Sequence, residues 1–361
     1  MEQPTRRQEF PIGEKEFLGN RQEIILPMRE VEASEYWTNP VFENRLPFDM
    51  KSFHFMLAPA RMIAEDEKVR GLMPSPEAAG MGRSGIARPF IFEDNAGNRY
   101  RDVNIKGCGG IQSIRQNGAP TFEVLPITID KINTTESIGV LSLNEALADR
   151  DNAERLISEG IRTYRVIAIS KLKEIIDEEG QRVSVEDAKG RRLIVRSMEP
   201  AIELRALVTN ERISYLQGLQ SDNARARERA RLALKDARAL VAQELGRDVL
   251  STQEYLEWFA KTLGSSIAKL KKAQLYHGAL HAQNITLDCR MVDLAGLEYP
   301  VPQLQWEIHE TQYQRDIASA KRSLKDLVNY AGAFEQTAHY DRLFDDAYGD
   351  ELEAPRRAPE T

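Results

Sequence analysis

Apolar residues recur at helical spacing most clearly at Tyr255, Leu256, Phe259, Leu263, Ile267 and Leu270, which predicts an amphipathic helix from Gln253 to Ala273. The same period predicts a helix over 221–245, rich in Ala, Arg and Leu. It also predicts one over Gln305 to Tyr330, with Ile308, Ile317, Leu324 and Leu327 apolar, and a shorter one over Ala338 to Ala347. Ser142, with Glu145 three residues on, forms a capping box for a helix that ends at Ser158, just before Gly160. Elsewhere the pattern is that of strands. Ala87 to Glu93 and Arg99 to Lys106 flank the turn Asp94-Asn95-Ala96-Gly97-Asn98, and further strands are predicted at Tyr164 to Ile169, Arg192 to Val195 and Ile202 to Val208. The first 75 or so residues are broken by prolines into short apolar pieces but carry many aromatics, which argues for an ordered arm lying over the main body.

Composition narrows the picture. A chain of 361 residues is long enough for two or three packed units, and 42% apolar with 29% charged residues is ordinary for a soluble globular protein. A net charge of −7 gives no reason to expect nucleic acid or an anionic membrane as partner. The helix over 221–245 is locally basic, through Arg225, Arg227, Arg229, Arg231, Lys235 and Arg238, but has no interleaved aromatic to stack bases and reads as a solvated face. No apolar run approaches the length of a membrane span, and the start lacks a signal-peptide core, so a cytoplasmic protein is expected. Cys108 and Cys289 then read as reduced thiols, and no Cys/His cluster has zinc spacing.

Four short patterns carry candidate chemistry. Gly80, Gly82 and Gly85 form a G-x-G-x-x-G string between predicted strands, which suits a loop that covers phosphates with backbone N–H groups; a plain surface loop has the same composition. The dinucleotide-fold version is excluded because a strand, not a helix, follows. Lys106 closes a predicted strand beside glycines and is either a phosphate-reaching point charge or an exposed strand-end lysine. Glu154 either pairs with Lys106 or is one of several exposed helix carboxylates. Finally, the run from His277 through His281, Gln283 and Asn284 to Asp293 reads as a loop and hairpin ending in aspartate. Asn284 and Asp293 offer hard oxygens suited to Mg²⁺ on nucleotide phosphates, or else they are a turn residue and a cap.

Glycine-rich string, strand lysine, helix glutamate and H…N…D occur in the order of a protein-kinase-like fold. The chain resembles the selenoprotein-O branch of that fold, the kinase-like adenylyltransferases. Ile105-Lys106-Gly107-Cys108-Gly109 is similar to the family's L-K-G-x-G, and Glu154 through Arg165 to its glutamate helix and following segment. Arg205 and Arg212 have the family's spacing of seven, and His277-Gly278 through Asn284 to Asp293 resembles its H-G…N…D with a nine-residue step. The likeness covers roughly Gly80 to Ala295. It implies an α+β, two-lobed kinase-like fold, with a β-rich N-lobe over 79–215 and a helical C-lobe with the metal site over 216–348; outside the likeness, the residue pattern itself gives the N-terminal arm over 1–78 and a charged, Pro-containing tail over 349–361 that is expected to be disordered. It also implies ATP with Mg²⁺ or Mn²⁺ as cofactors. Lys106 would hold phosphate with Glu154 behind it, Arg205 and Arg212 the terminal phosphates, and Asn284 and Asp293 the metal.

The activity implied is transfer of AMP from ATP to a protein hydroxyl. Two departures bear on it. The kinase catalytic aspartate falls at Ala279, and the family's acid before the metal asparagine is Gln283, which cannot accept a proton; His281 is the candidate substitute base, or else a structural loop histidine. His281-Ala282-Gln283-Asn284 is also similar to the H-x-Q-N of siderophore synthetases that work independently of peptide-synthetase assembly lines, which implies an ATP-dependent carboxylate-activating ligase. A kinase-fold glutamylating enzyme and a pseudokinase binding module complete the alternatives.

Overall fold

The computed structural model describes residues 28–58, 73–74, 81–87, 91–116, 119–129, 137–297 and 306–355. Gly80, residues 1–27 and 59–72 of the expected arm, and 356–361 of the expected tail lie outside the described residues. The protein is mixed α+β and divides into two compact units. A sheet unit holds the described residues up to Asp151 together with Arg165–Asn210, and a helical unit holds Asn152–Tyr164 and the described residues from Glu211 onward.

Eight antiparallel strands form the main sheet of the first unit: β1 (Ala33–Thr38), β2 (Met73–Pro74), β3 (Met81–Ala87), β4 (Asp102–Gln116), β5 (Ala119–Leu125), β6 (Leu141–Ser142), β7 (Arg165–Leu172) and β8 (Pro200–Leu207). The order is β1-β7-β8-β4-β3-β2, with β6 also on β8 and β5 also on β4. The strand period of two sorts β4 and β8 into two faces. Val103 and Ile105 pair with Ala206 and Leu204 and enter the apolar core; Asn104 and Lys106 pair with Arg205 and Glu203 on the other face. All eight residues of β8 are buried, so both faces are covered.

Several expectations are corrected here. Residues 33–38 of the supposed arm are the edge strand of the sheet, and Phe42, Phe53 and Phe55 belong to its core, so the described part of the arm is part of the sheet unit. Gly82 and Gly85 lie within strand β3 instead of a loop. β4 does not stop at Lys106. Ser84 faces Lys106 and Gly82 faces Ile111, so Gly107 to Gly110 bulge out opposite Arg83 and the strand resumes. Gly107 has φ +88°, and a Cβ there would sit 2.4 Å from the Ala201 carbonyl oxygen. The glycines that looked like a strand stop are what allow the bend. Arg192–Val195 is not a strand; the chain turns there, with Arg192 at φ +59°.

The turn over Asp94–Asn98 forms as expected. The Asp94 carboxylate accepts from the Ala96 and Asn98 backbone N–H groups, the Asn98 amide, the Tyr100 hydroxyl and Arg165 at 2.9 Å. Burial pushes this carboxyl up, but the Asn98 and Tyr100 bonds and the Arg165 guanidinium outweigh it and hold it below the usual carboxylate range. A depressed folded-state pKa adds stability above the unfolded value near 4, which is lost as pH falls through the folded one. Asp94→Asn is therefore expected to lower stability at pH 7 by about 1–3 kcal/mol, with the gap to wild type closing below about pH 4. Urea unfolding at pH 7 and pH 3 checks this, and an equal gap at both would overturn it.

Helix α1 (Leu143–Ser158) begins in the sheet unit and ends in the helical one; its capping box is present, with Ser142 and Glu145 each accepting from the other's backbone N–H. After the short α2 (Val185–Gly190), the helical unit is built from α3 (Ala224–Glu244), α4 (Thr252–Lys272), α5 (Trp306–Tyr330) and α6 (Thr337–Glu353). Ser251 and Glu254 cap α4 reciprocally. Gly264 on α4 meets α6 so closely that a Cβ would lie 2.3 Å from the Phe344 carbonyl oxygen. Residues 349–353, expected to be disordered, are the last turns of α6, where the Glu351 carboxylate bonds Ser265 and Lys272.

Candidate functional site

Within the helical unit, the segment after α4 gathers most of the expected site residues. Gln274 leaves the helix at φ +57°. The His277 and Gly278 N–H groups then both donate to the Asp316 carboxylate of α5, at 2.6 and 2.9 Å. His277 is buried, and its Nε2 lies 3.0 Å from the Val292 carbonyl oxygen. That oxygen only accepts, so Nε2 carries a proton. Burial lowers its pKa, against the opposing pull of Asp316.

The loop then tightens, with Asn284 N–H donating to the His281 carbonyl at 2.8 Å. A short hairpin follows. The Val292 N–H donates to the Asn284 carbonyl at 3.0 Å and Ile285 bridges Met291, so Asn284 and the residue after Val292, Asp293, come from neighbouring positions. The Asn284 amide nitrogen donates to the Ala279 carbonyl at 3.0 Å, and its side-chain oxygen accepts from Arg212 at 3.2 Å. Asp293 adopts φ 66° and ψ 59°, a left-handed conformation that disfavours any residue with a Cβ, and its side chain is exposed. His281 and Gln283 are exposed on the same loop. Asn152, on the half of α1 that also carries Glu154, donates its amide to the Leu294 carbonyl at 2.9 Å.

A carboxamide oxygen and an exposed carboxylate borne on neighbouring backbone positions are donors of the kind that suits a hard divalent cation, which completes its shell with phosphate oxygens and water. Among the described residues no group of three or more His, Cys, Asp or Glu is placed to cage a metal by itself. Asn284 and Asp293 would hold such a cation only together with its ligand.

Lys106 and Arg205 lie in the sheet unit, in a different setting from the exposed cations expected. Lys106 Nζ is 3.1 Å from Asp149 Oδ2, on α1, and Arg205 pairs with the same carboxylate. Arg205 also donates to both oxygens of Glu203, at 3.0 and 3.2 Å. Relative exposures of 3% for Lys106, 0% for Asp149, 0% for Glu203 and 4% for Arg205 make this a buried cluster of two cations and two anions. Asp149, a carboxylate on Lys106, lies five positions before Glu154 on the same helix. Lys106 is no strand-end residue, since the strand runs on to Gln116.

Sequence reasoning missed Asp149, Glu203 and Asp316. Asp149 stands among several acids of one helix and nothing local marks it as buried; Asp316 lies beyond the stretch that resembles the family. Both cysteines are free and buried, and burial pushes the Cys108 thiol up to about 12 and the Cys289 thiol up as well. Neither is expected to react with a thiol reagent in the native protein, labelling only as fast as the chain unfolds; fast stoichiometric labelling without denaturant would contradict this. No protein-family profile and no curated protein matches this chain.

Proposed function

We propose that this protein is an ATP-dependent transferase that uses a divalent cation and moves AMP to a protein hydroxyl. The observation that carries the reading is the placement of Asn284 and Asp293 at neighbouring positions of one hairpin, nine residues apart in sequence. In the reaction, the acceptor oxygen bonds to the α-phosphorus, the bond to pyrophosphate breaks, and the acceptor proton passes to His281, the titratable group exposed on the loop before Asn284. Mg²⁺ or Mn²⁺ supplies charge neutralisation of the phosphates when held by Asn284 and Asp293. The kinase-like two-lobed fold remains part of this proposal, supported by the order of the motifs.

A second reading is favoured by a specific observation. Lys106 and Arg205, which the transfer reading assigns to phosphates, are each already held by a buried carboxylate. Buried ion pairs of that kind suit a binding module whose sheet cations are structural. ATP labelled at the α or the γ phosphate separates the readings. Retained α label on protein supports AMP transfer, and retained γ label means phosphate transfer. Pyrophosphate release that depends on a small carboxylate means a ligase, and binding without turnover supports the module.

A further inference from the structure

We infer that the Thr286 hydroxyl is a positioning group, which sets the register in which the hairpin presents Asn284 and Asp293 at neighbouring positions. The inference rests on the reading of those two residues as a cation site and adds the group that shapes it. An antiparallel pair here would exchange two backbone hydrogen bonds between Thr286 and Arg290. One is made, from the Thr286 N–H to the Arg290 carbonyl at 2.9 Å. The Thr286 carbonyl, however, is taken by the Cys289 N–H at 2.9 Å, where Cys289 turns the chain at φ +59°. The Arg290 N–H donates instead to the Thr286 hydroxyl oxygen at 3.0 Å. A side chain thus serves as a rung of the ladder.

Asp288 directs the proton of that hydroxyl. Thr286 Oγ1 lies 2.5 Å from Asp288 Oδ1 and 3.4 Å from the Arg290 carbonyl oxygen, so it donates to the carboxylate and keeps its lone pairs for the Arg290 N–H. Asp288 is held in turn. Its Oδ2 accepts from Arg290 Nε at 2.6 Å with Arg162 3.9 Å away, and its backbone carbonyl accepts from Arg162 Nε at 3.2 Å. Arg290 also donates to the Thr163 carbonyl at 2.8 Å, and the Thr163 hydroxyl to the Met291 carbonyl at 2.7 Å. Thr286 and Asp288 are 0% and 1% exposed, so solvent does not make good a bond lost here. Counting outward from the rung, Ile285 bridges Met291 and the Val292 N–H reaches the Asn284 carbonyl, with Asp293 next in the chain. A slip of one residue would oppose different positions and turn their side chains to the other face. Cys289 and Asp293 are both left-handed, and strained backbone of that kind persists where surrounding bonds over-determine it.

The test is calorimetric binding of α,β-methylene-ATP to the full chain, once with Mn²⁺ and once with EDTA. The ratio of the two affinities isolates what the cation adds. In wild type, Mn²⁺ is expected to tighten binding about thirtyfold, within the usual range of coupling between sites. Thr286→Val keeps the shape and loses the hydroxyl; its ratio is expected to fall to about threefold while its affinity in EDTA stays at the wild-type value. Thr286→Ser keeps the hydroxyl and is expected to restore the full ratio. If Thr286→Val fails to fold, Arg290→Gln serves in its place: it removes the guanidinium that holds Asp288 from a half-buried position, and should lower the ratio in the same way. A wild-type ratio in these variants overturns the inference while leaving the cation site intact. An equal fall in both affinities also overturns it, since that marks a merely structural bond. A wild type that binds no analogue, or binds it no more tightly with Mn²⁺, overturns the underlying reading of Asn284 and Asp293 as well, and the failures are distinct.

Discussion

Asp149→Ala is expected to lower the unfolding free energy by about 3–5 kcal/mol, the usual effect of removing one partner from a buried ion pair. The size follows from the count of charges. With Asp149 present, two cations and two anions share a dry face of the sheet, and Arg205 is bonded on both sides. Without it, Lys106 and Arg205 lose the carboxylate that they share, at a place where water hardly reaches. Asp149→Asn keeps an acceptor oxygen near both cations and is expected to lose less. Urea unfolding of the three proteins measures the differences. A loss below about 1 kcal/mol for Asp149→Ala would mean that water enters the cluster freely, and would return Lys106 and Arg205 to the phosphate-binding role that the sequence alone assigned them.

The same cluster shows where the sequence is legible and where it is not. Helices α3, α4 and α5 were readable because each buries one stripe at a period fixed by the helix itself, and a capping box is a contact within four residues. The hairpin that brings Asn284 beside Asp293 was readable for the same reason: its pairing is local. Asp149 was not, because nothing within its helix marks it as a carboxylate that the fold buries. Nor was the edge strand at 33–38, whose partner β7 lies more than a hundred residues on. The glycine runs read differently. Glycine permits a phosphate loop and a strand alike: Gly82 and Gly85 lie within β3, and at Gly107, in the later run, close packing of β4 on β8 uses that freedom. Arg212 was singled out by spacing for a phosphate. In the structure it donates to Asn284 Oδ1 at 3.2 Å.

The other large effect belongs to Asp293, and it separates function from stability. A residue with a Cβ in the left-handed region carries a conformational penalty of about 1–2 kcal/mol, which glycine does not. Asp293→Gly is therefore expected to leave the unfolding free energy within about 1 kcal/mol of wild type, the relief of strain offsetting whatever the carboxylate contributes. Transfer of α label from ATP should meanwhile fall by about a thousandfold or more, because the carboxylate is one of only two protein oxygens proposed for the cation. Asp293→Val loses the carboxylate and places a β-branched residue where backbone strain is greatest, so it should lose activity and stability together. Loss of activity without loss of stability would therefore assign the carboxylate the proposed task of holding the cation. Undiminished label transfer by Asp293→Gly would show that the task is not cation binding, and the transferase reading would fall with it.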